Sequence, residues 1–392
     1  FYYDSTGCGA SFNLQNPYVL TLVMDSLRYW VQVMHVDGFR LDLASSLSRL
    51  RGEFTQDSGF LLAARQDDVL RQVKMIVEPW DATMDGYRIG GFPPSWYEWN
   101  DRYRDVVRRF WRGDRKQVGE LASRLTGSSD IFGYANRDID SSINFLTSHD
   151  GFTLQDLVSY NNKHNMVNGE NNRDGNDANW SWNSGAEGET DDAEVLINRN
   201  LRTKAMLATL LLSFGTPMLV AGDEFGNTQF GNNNPYCQDN VLTWIVWDAI
   251  RQEDRDLVRY VRKLIQLRQK MQVFERKKFF NGKINERYAR YNIKDIMWFS
   301  EQGKEFENND WYLEDRKSLS YFIYGENCSF FLIYNANAQP LVWQLPDFVK
   351  KTKITLIFDS SEQLKPETPI VKDELDIPAW SVWVLELRKP EK

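Results

Sequence analysis

The stretch GFRLDLAS, residues 38–45, sets an arginine and an aspartate two places apart in an otherwise apolar run. Residues two apart in a strand share a face, so Arg40 and Asp42 project together while Phe39, Leu41 and Leu43 point the other way. One face carries chemistry and the other is core. Taken alone, such a pair reads as a salt bridge closing a buried strand, and the acids downstream decide between the two readings.

The flanks place this strand, 36–43, in an alternating pattern. Residues 17–34 carry apolar side chains at helical spacing, with Asn16 suited to the N-cap and Pro17 to the first helical position. A second helical stretch at 60–72 leads to MIVEPWD, 75–81, read as another strand. The alternation continues through a strand at 96–99, helices within 101–126, a strand at 143–147, a helix at 198–213, the strand TPMLVAG at 216–222 and a helix at 257–271. Repeated β-then-α units with carboxylates at strand ends fit an α/β fold of the TIM-type (β/α)8 barrel kind, whose active site is built at those ends.

The loop 160–194 is rich in Asn, Gly, Asp and Glu, and Trp180 and Trp182 within it favour a substrate-facing lid over a linker. From about 320 the text changes to short β-rich runs (YFIYG, SFFLIYNA, LVWQL, TLIFD, SVWVLEL) between turn residues, which read as an antiparallel β-sandwich. The expected division is a partial barrel domain at 1–275 and a sandwich domain at 276–392 that includes a mixed connecting region.

Composition narrows the function. A net charge of −8 on 392 residues, with no block of like charge, argues against a nucleic-acid surface. Aromatic residues make up 14% of the chain, and Trp and Tyr offer flat apolar faces with a polar edge, which suits a sugar ring. The three cysteines are widely spaced with no C-x-x-C pair, which points to a reducing, cytoplasmic setting. No apolar run of about 18 residues exists and the first residues have no signal-peptide character, so no membrane partner is expected.

Glu78 in IVEPWD and Asp150 in FLTSHDG end two further strands. With Asp42, three acids sit at three strand ends of one barrel, with Arg40 and His149 beside them. Glycoside hydrolysis uses such a cluster: one carboxylate attacks the anomeric carbon while a protonated carboxyl, its pKa raised by its surroundings, donates to the leaving oxygen. A retaining pair stands roughly 5–5.5 Å apart. Arg40 would hold Asp42 ionised and oriented, and Asp150 with His149 would bind sugar hydroxyls.

DGFRLDLA, VEPWD and FLTSHDGFTL resemble three of the four signature segments of the α-amylase superfamily, in the form found in isoamylase-type glycogen-debranching enzymes. YYDSTGCGASFN, HNMVNGENNRDGNDANWSWNSG and AGDEFGNTQFGNNNPYCQDN are similar to the bacterial branch of that group. The resemblance implies Asp42 as nucleophile, Glu78 as general acid/base and Asp150 as transition-state stabiliser, with Arg40 and His149 in the sugar subsite. Trp80 reads as a sugar-stacking platform or as core. The implied reaction is hydrolysis of α-1,6 branch linkages in glycogen or limit dextrin, with retention and without a redox or organic cofactor. No metal is assigned, because the acidic residues show no dedicated calcium spacing and ENNRDGNDAN reads as a hydrogen-bonded loop.

The first signature segment, of the type D-V-V-Y-N-H, has no counterpart, and only five of a barrel's eight strands are counted from residue 36 onward. The expectation is therefore a C-terminal portion or one component of a split enzyme, its barrel completed by an N-terminal segment or a partner chain. A non-catalytic glucan-binding or regulatory subunit, or an inactive fragment, is the second reading. An endo-amylase or transferase of the same superfamily is the third, and the proline after Glu78 and the form TSHDGF resemble debranching members more.

Overall fold

Asn16 caps the first helix as the sequence predicts: its extended backbone turns the side chain to accept the Tyr18 N–H at 3.0 Å, and Pro17 opens α1 (Pro17–Gln32). In this computed structural model, residues 2–134, 136–284, 292–326 and 328–388 are described, and they divide into two units. The first comprises Phe1–Asp101, Gly127–Asn144 and Lys277–Phe279; the second comprises Arg102–Thr126, Phe145–Arg276 and Phe280–Lys392.

In the first unit, Val23, Met24, Leu27 and Val31 of α1 pack with Phe60 and Leu61 of α2 (Gly59–Gln66) against Leu41, Met75 and Val77 of the sheet. The helix expected over 60–72 stops at Gln66. Asp67 takes extended backbone and its carboxylate accepts the Val69 and Leu70 N–H groups, starting a separate 3-10 turn at Leu70–Gln72.

Strands β1 (Gly38–Leu41), β2 (Lys74–Val77), β3 (Tyr97–Asn100) and β4 (Ser142–Phe145) pair in parallel in that order, β4 through its first three residues. The register sets Leu41 opposite Val77, so Asp42 and Glu78 leave neighbouring strands side by side at the carboxyl edge. Both strands are shorter than expected, and both acids lie one residue beyond them.

A buried ion pair locks β3. Glu98 accepts the Gly90 and Phe92 amides at 2.6 and 3.2 Å and pairs with Arg137, which also donates to the carbonyls of Phe92 and Trp96 at 3.1 and 3.0 Å. Neither charge reaches solvent.

The second unit carries α3 (Asp101–Arg112, from Arg102 onward), α4 (Val118–Leu125), α5 (Leu154–Ser159), α6 (Ala193–Leu211), β5 (Thr216–Met218) and α7 (Gln252–Lys270). Helix α6 starts five residues before its expected position because Asp192 caps it, accepting the Glu194 and Val195 N–H groups. Helix α7 likewise starts early, where the Asp254 carboxylate accepts the Arg251 backbone N–H at 2.8 Å and its guanidinium Nε at 3.1 Å.

The two tryptophans that suggested a lid are engaged within this unit. Trp180 lies under the guanidinium groups of Arg109 and Arg112 at 5.1 and 5.3 Å, and Trp182 packs on Trp380 with Arg202 4.6 Å above its ring. These contacts tie both rings to helices α3 and α6 and to Trp380.

The β-rich run begins at 296, earlier than expected. Strands β6 (Ile296–Phe299), β7 (Ser318–Ile323), β8 (Ser329–Asn335), β9 (Leu341–Gln344), β10 (Lys353–Asp359), β11 (Thr368–Ile370), β12 (Glu374–Ile377) and β13 (Ser381–Arg388) form two antiparallel sheets. The larger has the order β11-β10-β13-β8-β7-β6, and the smaller pairs β9 with β12. Trp343 and Ile377 of the small sheet share one core with Phe331, Ile333, Trp383 and Leu385 of the large one. Among the described residues no helix is long and apolar enough to cross a membrane.

Removing one partner of a fully buried pair leaves an uncompensated charge. Arg137→Leu is therefore expected to destabilise the protein by about 3–5 kcal/mol in urea unfolding. A loss below about 1 kcal/mol would show that Glu98 takes up a proton or a water at little cost.

Candidate active site

Leu43 follows Asp42 in left-handed backbone, with φ 40° and ψ 51°. That turn, unusual for a branched residue, aims the Leu43 N–H at Glu78, whose Oε2 accepts it at 2.8 Å. The Ala44 amide binds the Glu78 carbonyl at 2.9 Å. The two strand ends are thus stitched together at the acids themselves.

Arg40 stands between the carboxylates. Its Nη1 donates to Asp42 Oδ1 at 2.5 Å, its Nη2 lies 3.1 Å from Glu78 Oε2, and its guanidinium carbon sits 4.3 Å from the centre of the Trp99 ring. The salt bridge that an isolated R-x-D suggests is present, and it extends to a second acid.

The two carboxylates differ in exposure: the Asp42 side chain is 71% exposed and that of Glu78 only 7%. Burial pushes the Glu78 carboxyl above its ordinary value; the Leu43 amide and Arg40 pull it down, and the Asp42 charge and hydrogen bond push it up again. One acid is accessible and the other is held towards its protonated form, which is the division of labour that proton donation beside a nucleophile requires.

Trp80 is half-buried between Glu78 and a well-anchored segment. Buried Arg49 binds Asp81 through two nitrogens at 2.8 and 3.1 Å, Thr83 Oγ1 at 2.6 Å and the Gly52 carbonyl at 2.6 Å. This hub fixes the chain that follows the acid. Sequence reading missed it, as it missed Trp99 and the Leu43 amide. Only Trp99, in the strand run YEWN, carried a visible signal.

His149 and Asp150 stand on the second unit, in the loop after β4. The His149 Nε2 is 3.6 Å from Asp150 Oδ2, and both side chains are mostly exposed. Ser148 Oγ donates to the Asp150 carbonyl at 2.9 Å, and the Gly151 amide to the Asn233 carbonyl at 2.9 Å. Arg40, Asp42 and Glu78 are therefore brought together in one unit, and His149 with Asp150 in the other.

Among the described residues no group of three or more His, Cys, Asp or Glu side chains is arranged to hold a metal ion. The segment ENNRDGNDAN belongs to an amide network instead. Asn233 exchanges hydrogen bonds with Asn165 at 2.8 and 3.0 Å and donates to Asn179 Oδ1 at 2.8 Å, while the Lys163 ammonium binds Asp177 at 2.7 Å and the Gly175 carbonyl at 3.3 Å.

Residues 3–256 match the family model described as "Alpha amylase, catalytic domain". A "Glycogen operon protein GlgX homolog" of Mycobacterium tuberculosis strain H37Rv is 44% identical over 400 residues, covering 98% of this chain and 55% of that protein. A "Glycogen debranching enzyme" of Serratia proteamaculans is 45% identical over 310 residues, 79% of this chain and 45% of its own length. The chain spans about half the length of these curated relatives. Among solved structures, the pullulanase of Bacillus acidopullulyticus superposes with a TM-score of 0.70 at 19% identity over 98% of this chain and 42% of its own. Pullulanase type I of Bacillus subtilis, complexed with maltose, gives 0.71 at 21% identity over 99% and 49%.

The electrostatics of the pair yield a prediction of sign. Because the Asp42 charge raises the Glu78 pKa and Arg40 lowers it, Asp42→Asn is expected to lower that pKa and Arg40→Met to raise it. Carbon-13 NMR titration of the glutamate carboxyl reads both shifts, and a rise in Asp42→Asn would contradict the assignment.

Proposed function

Because the chain belongs to the alpha-amylase family, we propose that it carries the catalytic acids of a retaining glycoside hydrolase that cleaves α-1,6 branch linkages of glycogen or limit dextrin. The observation that carries this reading is the pair Asp42 and Glu78 on one guanidinium, the first exposed and the second buried with a raised pKa. The names of the relatives, glycogen debranching enzyme among them, support the choice of linkage.

Asp42 attacks the anomeric carbon while Glu78 gives its proton to the oxygen of the α-1,6 bond, so the main-chain glucose leaves with a free 6-hydroxyl and the branch stub is esterified through its anomeric carbon to Asp42. Glu78, now ionised, takes a proton from water, whose oxygen displaces Asp42 from the opposite side and restores the α configuration. Asp150 stabilises the oxocarbenium-like transition state. Arg40 orients Asp42 through its hydrogen bond, His149 binds sugar hydroxyls and Trp80 offers a face to a glucosyl ring. No step calls on a cofactor.

The same reading proposes a (β/α)8 barrel within 1–275 and a β-sandwich domain within 276–392, the barrel being completed by strands outside this chain, from an N-terminal segment or a partner chain. Among the described residues no strand pairs with the outer edge of β1, and the chain spans about half the length of its relatives. Cys8, Cys237 and Cys328 are all unpaired, which supports a cytoplasmic setting.

Reducing-end release from phosphorylase-trimmed glycogen dextrin tests the proposal, with linear α-1,4 chains as control substrate. Release from the dextrin is expected, falling by roughly 10⁴-fold or more in Asp42→Asn. Wild-type rates in that variant would sink the assignment, and cleavage of linear chains alone would make the protein an amylase.

Glu78→Gln is expected to lose dextrin hydrolysis to a similar degree while keeping more activity on glucosyl fluoride, whose leaving group needs no proton. The pH–rate profile follows from the same pair. Activity falls on the alkaline side as Glu78 loses its proton, at a pH above the ordinary glutamate value of about 4.3. A profile flat across that alkaline limb would remove Glu78 from the acid role.

A further inference from the structure

Gly222 takes a φ of 105°, and a Cβ there would stand 2.7 Å from the Cβ of Asn227. Only glycine makes that turn, and the turn delivers Asp223 into the interior of the second unit, 2% exposed. One oxygen of Asp223 accepts the Thr147 hydroxyl and the other accepts the Leu154 amide at 2.9 Å. These two donors bracket the segment that carries His149 and Asp150.

A second buried charge holds the entrance to the same segment. Arg108 of α3, 5% exposed, donates Nε to the Leu146 carbonyl at 2.7 Å and Nη1 to the Asn179 carbonyl at 3.0 Å. Between the two grips, the Gly151 amide is tied to the Asn233 carbonyl. The segment is thus fixed before, within and after Asp150.

Burying these charges works against their ionised forms: it pushes the Asp223 carboxyl up to about 6 and the Arg108 guanidinium down to about 9, and the charge of each offsets part of the other's cost. Apolar residues of similar volume would serve stability at least as well. What they would not provide is directional bonding to three points of that segment, Leu146, Thr147 and Leu154, and to the Asn179 carbonyl beside them.

We infer that Asp223 and Arg108 are positioning residues that set where the Asp150 carboxylate stands. The inference rests on the debranching reading, in which Asp150 faces the sugar as the bond breaks. A misplacement of about 1 Å at such a group costs on the order of 10²-fold in rate.

The test compares Asp223→Ala, Asp223→Asn and Thr147→Val in the purified protein, with kcat and KM on limit dextrin and amide hydrogen exchange across 147–154. Asp223→Ala is expected to lower kcat by roughly 10- to 100-fold with KM changed less than about threefold, and to speed exchange at Leu154. Asp223→Asn restores most of the rate, because its amide offers a carbonyl to Leu154 and an NH2 to the Thr147 hydroxyl, which accepts as readily as it donates. Thr147→Val, which removes one bond and leaves the fold intact, shifts kcat and exchange in the same direction by less, and carries the test if Asp223→Ala does not fold. Unchanged kcat with unchanged exchange in these variants overturns the inference. If the wild-type protein releases nothing from dextrin, the debranching reading falls, while unaltered exchange at Gly151 and Leu154 would still overturn the clamp and faster exchange would uphold it.

Discussion

One guanidinium between two carboxylates is the constraint on which the site depends. Arg40 is fixed at 2.5 Å from Asp42, at 3.1 Å from Glu78 and on the face of Trp99. Without it, two acids leaving adjacent strands at the same level would repel each other, and one would neutralise at the other's expense. With it, the choice of which acid holds the proton passes to burial. Glu78 is enclosed and Asp42 is open, so the roles proposed for them rest on environment and not on residue type.

The fold supplies that arrangement through register. Parallel pairing of Leu41 with Val77 places the next residues of both strands at one edge, and the left-handed turn at Leu43 returns an amide to Glu78. Further out, Arg137 with Glu98 holds β3, which presents Trp99 to Arg40, and Arg49 holds the chain beyond Trp80. Buried arginines thus hold more than one irregular segment of the first unit. Arg108 and Arg202 do the same in the second unit, through the carbonyls of Leu146 and Trp182.

Local chemistry made much of this legible in the sequence. Asn16 and Pro17 announce α1 because capping involves only neighbours, and the period of two in FRLDL announces both the strand and the shared face of Arg40 and Asp42. The resemblance in VEPWD and FLTSHDG supplied the roles proposed for Glu78 and Asp150. Illegible were the features made by partners far apart in the chain. Arg49 meets Asp81 across 32 residues and Thr147 meets Asp223 across 76, and no local pattern marks either. The partners of Trp180 and Trp182 were hidden for the same reason: a polar loop with aromatics suggests a lid, and the arginines of α3 and α6 on which the rings lie are far away in the chain. Strand β6 was hidden because IMWF lies in a mixed passage and is recognised only by its pairing with β7.

The most direct test of the central claim, that Asp42 is the nucleophile and Glu78 its acid/base partner, is to trap the intermediate. The protein would be incubated with a 5-fluoro-α-glucosyl fluoride, a substrate that esterifies the enzyme faster than water releases it, and its peptides analysed by mass spectrometry. The account predicts one glucosyl adduct, on the peptide containing Asp42 and absent in Asp42→Asn. An adduct on Glu78 or Asp150, or turnover that proceeds with no adduct at all, would contradict it.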